Sequence, residues 1–199
     1  MQIINCEQNS EEWYKARLGI PTSSNFSTIL AKGRGGGESK TRKTYMLKLI
    51  GERLTGDLTE NYTNAHMERG HQMEDEARNA YVFHSNNECN RVGFIINGNK
   101  GASPDSLIGD SGILEIKTKL PHLQLEVILD DKMPPQHLAQ VQGQMWVAER
   151  EWCDFVSYWP KLPLFVKRIY RDDKYINEIL WPEVDKFFNE MLKLEDKFK

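Results

Sequence analysis

Cysteine is scarce in this chain of 199 residues: Cys6, Cys89 and Cys153 are odd in number, far apart and never arranged as CxxC. That spacing excludes a cysteine-built zinc site and a disulfide framework, and it suits a reducing compartment, so a cytoplasmic location is expected. No apolar run approaches the roughly 20 residues of a membrane span. The opening Met1-Gln2-Ile3-Ile4-Asn5-Cys6-Glu7 lacks the basic start and apolar stretch of a signal peptide. Neither sign of charge dominates. Its 26 basic and 29 acidic residues leave a net charge of −3, which argues against a protein that coats nucleic acid over its whole surface. Internal repeats are lacking, and no low-complexity tract exceeds the glycine loop at Gly33, Gly35, Gly36 and Gly37.

What is present describes a globular protein. An apolar fraction of 39% supports a core and 28% charged residues cover a normal surface, so one domain over residues 1–199 is expected. Charge is unevenly placed. Lys32, Arg34, Lys40, Arg42, Lys43 and Lys48 face only Glu38 in sequence, whereas Asp57, Glu60, Glu68, Glu74, Asp75 and Glu76 face only Arg69. A basic region beside an acidic centre fits a metal-dependent enzyme acting on a polyanion, and fits a pair of solvated faces equally well.

The pattern of apolar residues gives the elements. Ser10 caps a short helix through Arg17, and Pro21-Thr22-Ser23-Ser24 turns into a second helix carrying Phe26, Ile29 and Leu30. A third helix runs from Ser39 to Leu54 with Gly56 past its end, and a fourth from Ala65 to Phe83 carries Met67, Met73, Ala77, Ala80 and Tyr81. The period then shortens to two. Arg91 to Ile96, Gly101 to Leu107 and Ile113 to Thr118 read as strands, joined by turns at Asn97-Gly98 and Gly109–Gly112. Pro134-Pro135 opens a helix with Leu138, Val141, Met145 and Trp146 as its stripe. Strands over Glu151–Ser157 and Phe165–Tyr170 follow. A closing amphipathic helix from Asp172 is expected to bury Ile176, Ile179, Leu180, Val184, Phe187, Phe188 and Met191, with Pro182 as a kink or restart. The order predicts an α/β layered core with an N-terminal helical addition.

Chemistry concentrates at Ser103-Pro104-Asp105 and Glu115-Ile116-Lys117. Alternation along a strand puts Glu115 and Lys117 on one face and Leu114 and Ile116 on the other. The tight turn between the two segments can bring Asp105 beside Glu115. Two crowded carboxylates repel, and a divalent cation resolves the repulsion. Hard oxygen ligands without His or Cys favour Mg²⁺, with Mn²⁺ as a substitute. Such an ion polarises a phosphodiester and lowers the pKa of bound water, with Lys117 to orient that water or to stabilise charge on phosphorus. The main-chain carbonyl of Ile116 is a further ligand candidate. Alone, Asp…Glu-x-Lys is a weak pattern, since Glu-x-Lys is also a common exposed ion pair.

Five segments in order sharpen it: Ala16-Arg17-Leu18-Gly19 with Thr22-Ser23-Ser24; Gly70 to Arg78; Ser103-Pro104-Asp105; Leu114-Glu115-Ile116-Lys117; and Ala139-Gln140-Val141-Gln142-Gly143-Gln144-Met145-Trp146. Together they resemble the phage lambda exonuclease or YqaJ-like viral recombinase family of the PD-(D/E)xK nuclease superfamily. The resemblance implies a restriction-endonuclease-like core, a central mixed sheet flanked by helices. Residues 1–60 would be the helical, DNA-end-binding part and residues 61–199 the nuclease core. It further implies that Glu74 completes the acidic cluster, that Gln140 positions nucleophile or substrate, and that Arg17, Ser24, Arg34 and Ser103 bind a 5′-terminal phosphate. Gln142 and Gln144 remain packing or DNA-contact candidates. Two positions depart from the family pattern, Ser106 where glycine is frequent and Thr118 where cysteine or serine is frequent.

The function so implied is a Mg²⁺-dependent 5′→3′ exonuclease on double-stranded DNA ends. It would leave 3′ single-stranded tails for a strand-annealing protein, act as a homotrimer ring, and be encoded by a phage or prophage. The alternatives are a PD-(D/E)xK endonuclease or repair nuclease, and a non-enzymatic binding module. Against the last stands the intact Asp105, Glu115 and Lys117 set.

Overall fold

The computed structural model describes residues 1–37, 39–57 and 65–199, with side chains of the helix that begins at Ala65 described from residue 73 onward. The expectations for Met67, for Gly70 to Gln72, and for the charges at Glu38, Glu60, Glu68 and Arg69 lie outside the described residues.

Near the N-terminus come β1 (Gln2–Ile4), α1 (Glu11–Arg17), a single turn at Ser23–Asn25, α2 (Phe26–Leu30) and α3 (Lys40–Thr55). Ser10 caps α1 by accepting from the Trp13 N–H, and Ser39 caps α3 by accepting from the Arg42 N–H. Gly56, at φ 72°, ends α3 in the left-handed region that glycine enters without strain. The helix α4 (Ala65–Ser85) leads into β2 (Cys89–Asn90), β3 (Phe94–Asn97), β4 (Lys100–Ala102), β5 (Ser106–Ile108) and β6 (Gly112–Thr118). Then come α5 (Pro121–Asp130), α6 (Leu138–Ala148), β7 (Trp152–Tyr158), β8 (Phe165–Tyr170), α7 (Asp173–Tyr175) and α8 (Trp181–Glu195).

Two sheets result. A small antiparallel one has the order β1-β3-β4, and the main one has the order β2-β5-β6-β7-β8. Among the described strands only β6 and β7 run parallel, paired from Gly112↔Trp152 to Thr118↔Tyr158, which makes the main sheet mixed. Their crossover carries α5 and α6, as parallel neighbours require. Strand β6 is therefore central and apolar on both sides. Ile113 joins a core with Val141, Met145 and Phe155, while Leu114 and Ile116 join a second with Ala77, Tyr81 and Val156. Phe26, Ile29, Met46, Leu49 and Ile50 of the N-terminal helices lie in the same cluster as Met145, Val184 and Phe187.

Three sequence expectations need correction, and some elements were not foreseen. The strand expected from Gly101 to Leu107 is two strands in two different sheets, broken at Ser103-Pro104-Asp105, because Pro104 has no N–H to continue a ladder. The strand expected from Arg91 begins at Phe94. Helix α5 and strand β1 were not foreseen. Finally, Ile179 is 47% exposed rather than buried. A π-turn over Ile176–Leu180 widens the helical path before Pro182 opens α8, and it rotates Ile179 off the buried stripe.

Candidate active site

A cavity of about 590 Å³ opens between the N-terminal helices, the strand break and α6. Its lining includes Arg17, Ser24, Glu74, Ser103, Asp105, Glu115, Ile116, Lys117 and Gln140, which share this one space. Arg34 does not line it; it sits exposed in the turn Arg34–Gly36.

The acidic wall rests on β5 and β6. Asp105 immediately precedes β5, where its N–H donates to the Leu114 carbonyl and its carboxylate accepts from the Ile116 N–H. That places it across from Glu115, which is 2% exposed. Glu115 is held on both oxygens: Lys117 Nζ and Gln140 Nε2 each approach Oε1 at 2.6 Å, and Gln144 Nε2 donates to Oε2 at 2.6 Å. Burial first, and then the charges of Glu115 and Glu74, push the Asp105 carboxyl well above the ordinary carboxylate range. Burial works against the Lys117 ammonium, but Glu115 and Asp105 outweigh it and raise its pKa.

These groups suit a hard cation. A carboxylate whose ionisation is opposed by two other carboxylates marks a place short of positive charge. Among the described residues no three His, Cys, Asp or Glu side chains form a ready cage. Mg²⁺ is characteristically held by one or two carboxylates and otherwise by water and substrate oxygens, so Asp105 and Glu115 with the Ile116 segment fit it.

Arg78 was missed by sequence reasoning as a functional residue, although it lies one helical turn from Glu74. It is 6% exposed and binds the Glu74 and Asp75 carboxylates, the Ser106 hydroxyl at 3.1 Å and the Asp105 carbonyl at 3.2 Å. This one guanidinium ties α4 to the strand break. Ser106, one of the two departures from the family pattern, uses its hydroxyl here, accepting from Arg78 and donating to the Asp105 carbonyl. Its sequence neighbours Glu74, Asp75 and Glu76 make it look like an ordinary i,i+4 surface pair, so only its burial beside Asp105 sets it apart.

The opposite wall is cationic. Arg17 ends α1 with its guanidinium 4.0 Å from the Trp13 ring centroid, and Nη1 donates to Ser103 Oγ at 3.0 Å. Trp13 Nε1 donates to the same hydroxyl at 2.9 Å. No acidic side chain pairs with Arg17 among the described residues, and burial lowers its pKa to about 10, while Tyr45, Tyr14 and Glu52 work the other way. Ser24 is tied to Thr22 by a 3.1 Å hydroxyl contact in the turn that precedes α2. A half-buried guanidinium without a carboxylate partner among the described residues, beside the Ser103 hydroxyl, has the chemistry that could receive an anion.

The family model for the YqaJ-like viral recombinase domain matches residues 12–151, which span both walls of this cavity. The chain belongs to that family. Among solved structures, an alkaline exonuclease (LHK-Exo) from Laribacter hongkongensis is 37% identical, with 95% of this chain and 96% of that one covered at a TM-score of 0.85. LHK-Exo in complex with dAMP is 38% identical, with 96% of both chains covered and a TM-score of 0.86. A phage-related exonuclease from Haemophilus somnus, at 14% identity and a TM-score of 0.68 over 90% of this chain and 96% of that one, shares the fold. No curated protein matches the chain. For this YqaJ-like chain, then, the central mixed sheet flanked by helices is the exonuclease architecture. No helix among the described residues is long and apolar enough to cross a membrane.

Proposed function

We propose that this protein is a Mg²⁺-dependent 5′→3′ exonuclease that shortens one strand of double-stranded DNA from its ends. That it is a deoxyribonuclease of the exonuclease type, with a role in recombination, follows from its family and its exonuclease neighbours. Metal dependence and direction are the proposal. One observation carries it: Arg17, Ser24 and Ser103 line the same cavity as Asp105, Glu115 and Lys117. An anion site walled into the catalytic cavity suits an enzyme that holds a phosphorylated strand terminus beside its reacting groups.

Each residue then has a task. Arg17 and the hydroxyls of Ser24 and Ser103 bind the terminal 5′-phosphate and fix the end nucleotide. Asp105 and Glu115, with the Ile116 carbonyl, hold the cation. Mg²⁺ there supplies Lewis acidity to the scissile phosphodiester and a lowered pKa to attacking water; Mn²⁺ would serve similarly. Lys117, already against Glu115, stabilises charge developing on phosphorus. Gln140 and Glu74 orient the cluster. The same reading includes Arg34 as a phosphate contact from outside the cavity, a homotrimer ring around DNA, a strand-annealing partner that takes the 3′ tails, and a phage or prophage gene acting in the bacterial cytoplasm.

Digestion of linear duplex DNA with either 5′-phosphate or 5′-hydroxyl ends, in Mg²⁺ or EDTA, tests the proposal. Metal-dependent shortening, faster from phosphorylated ends, is expected. Cutting of closed circles would overturn it in favour of an endonuclease.

A further inference from the structure

Gln144 follows Gln140 by one turn of α6 and is completely buried. Its Nε2 donates to Oε2 of Glu115, while its own Oε1 is buried with no hydrogen-bond partner. The orientation is dictated by Glu115, because turning the amide over would set its oxygen against a carboxylate oxygen. A buried carbonyl without a donor is destabilising, and methionine, of similar length and without polar atoms, would fill the same space without it. Packing therefore does not explain a glutamine here; its contact with Glu115 does. Without that contact, Lys117 and Gln140 would both hold Oε1, and nothing would fix Oε2.

We infer that Gln144 is a positioning residue for the cation site. Gln140 and Gln144, at i and i+4 on one helix face, clasp the two oxygens of Glu115 and lock the carboxylate plane in the orientation presented to the metal. This rests on the reading of Glu115 as a metal ligand. Partners of this kind, which orient a ligand without touching the ion, typically change metal affinity by about 10- to 100-fold when removed.

The test is calorimetric titration of the full chain with Mg²⁺, beside thermal melting in metal-free buffer, for wild type, Gln144→Met and Gln144→Asn. Both variants should bind Mg²⁺ about 10- to 100-fold more weakly, and Gln144→Met should melt at or above the wild-type temperature. The Mg²⁺ concentration for half-maximal nuclease rate should rise with little change in the rate at saturation. Wild-type affinity in either folded variant overturns the inference alone. So does a Gln144→Met protein that fails to fold, since the amide would then serve packing. A wild-type chain that takes up no Mg²⁺ overturns the metal reading and this inference with it.

Discussion

The two walls of the cavity are built by opposite means. The acidic wall sits on a central strand and a buried helix, and its key carboxylate is gripped by three donors at 2.6 Å. The cationic wall sits on a helix end, a single turn and a strand break, where one hydroxyl, Ser103 Oγ, receives both Arg17 and Trp13. Regular structure with redundant bonds fixes Glu115 and Lys117, whereas Asp105 lies on the strand break and is tied to β6 through Leu114 and Ile116. Irregular backbone would suffice for the diffuse, doubly charged phosphate proposed to bind there. The difference predicts that the acidic wall trades stability for chemistry, whereas the cationic wall trades little.

The sharpest way to break that comparison is Asp105→Asn. Loss of a charged group at the reacting centre should cost about 10²- to 10³-fold in rate, read as duplex DNA digested per minute. Stability should move the other way. Because the Asp105 carboxyl is raised above its unfolded value, its stabilising contribution is present below about pH 3.9 and is lost as pH rises through the folded pKa. Removing the charge should therefore raise the metal-free melting temperature at pH 7. A variant that is both inactive and less stable would show that Asp105 is structural. Arg17→Met comes next. A hydrogen bond to a charged group is worth about 1.5–3 kcal/mol, so digestion of 5′-phosphorylated ends should slow roughly 10- to 100-fold, with little change on 5′-hydroxyl ends. Equal slowing on both ends would remove the anion site from the account.

How well each wall could be read from sequence follows the same division. Glu115, Lys117 and their apolar neighbours Leu114 and Ile116 were legible because a strand alternates with a strict period of two. The two-sheet break at Ser103-Pro104-Asp105 was not, since Pro104 within an alternating run signals an interruption but not that the chain changes sheets. Helix α5 escaped notice because only Gln124 and Val127 along it are buried, too few to show a period. The Arg17 site came from family resemblance; no local pattern places a helix-end arginine against Ser103, 86 residues away. Arg78 and Gln144 needed coordinates, since what sets each apart is its burial beside a carboxylate.

The joint between the walls gives a smaller, sharper test. Gly143 lies on α6 between Gln140 and Gln144, and a Cβ there would sit 2.4 Å from Phe26 Cδ2 and 3.2 Å from Ser23 Cβ. Ser23 belongs to the turn that carries Ser24, and Phe26 opens α2 directly after it. Gly143→Ala forces that turn away from α6, at a cost of about 1–3 kcal/mol typical of overpacking. The melting temperature should fall by several degrees, and the preference for phosphorylated ends should weaken more than the rate on hydroxyl ends. An unchanged end preference would mean the walls are not coupled through this contact.

The smallest effect is expected at His137, just outside the acidic wall. Its ring lies 5.3 Å from that of Phe155, and its Nε2 is 3.3 Å from Lys119 Nζ. Burial, then Lys117 and Lys119, depress its pKa to about 3. The unfolded chain takes up this proton as pH falls through roughly 6.5, while the native chain refuses it until about pH 3. Between those values the unfolded state binds more protons, so His137 subtracts stability as pH falls, and its full contribution is present only above about 6.5. His137→Phe keeps an aromatic ring beside Phe155 and removes the titration. Its melting temperature should decline by fewer degrees than that of the wild type between pH 7 and pH 5. Parallel declines would show that burial, with Lys117 and Lys119 beside it, does not keep this imidazole neutral in the folded chain.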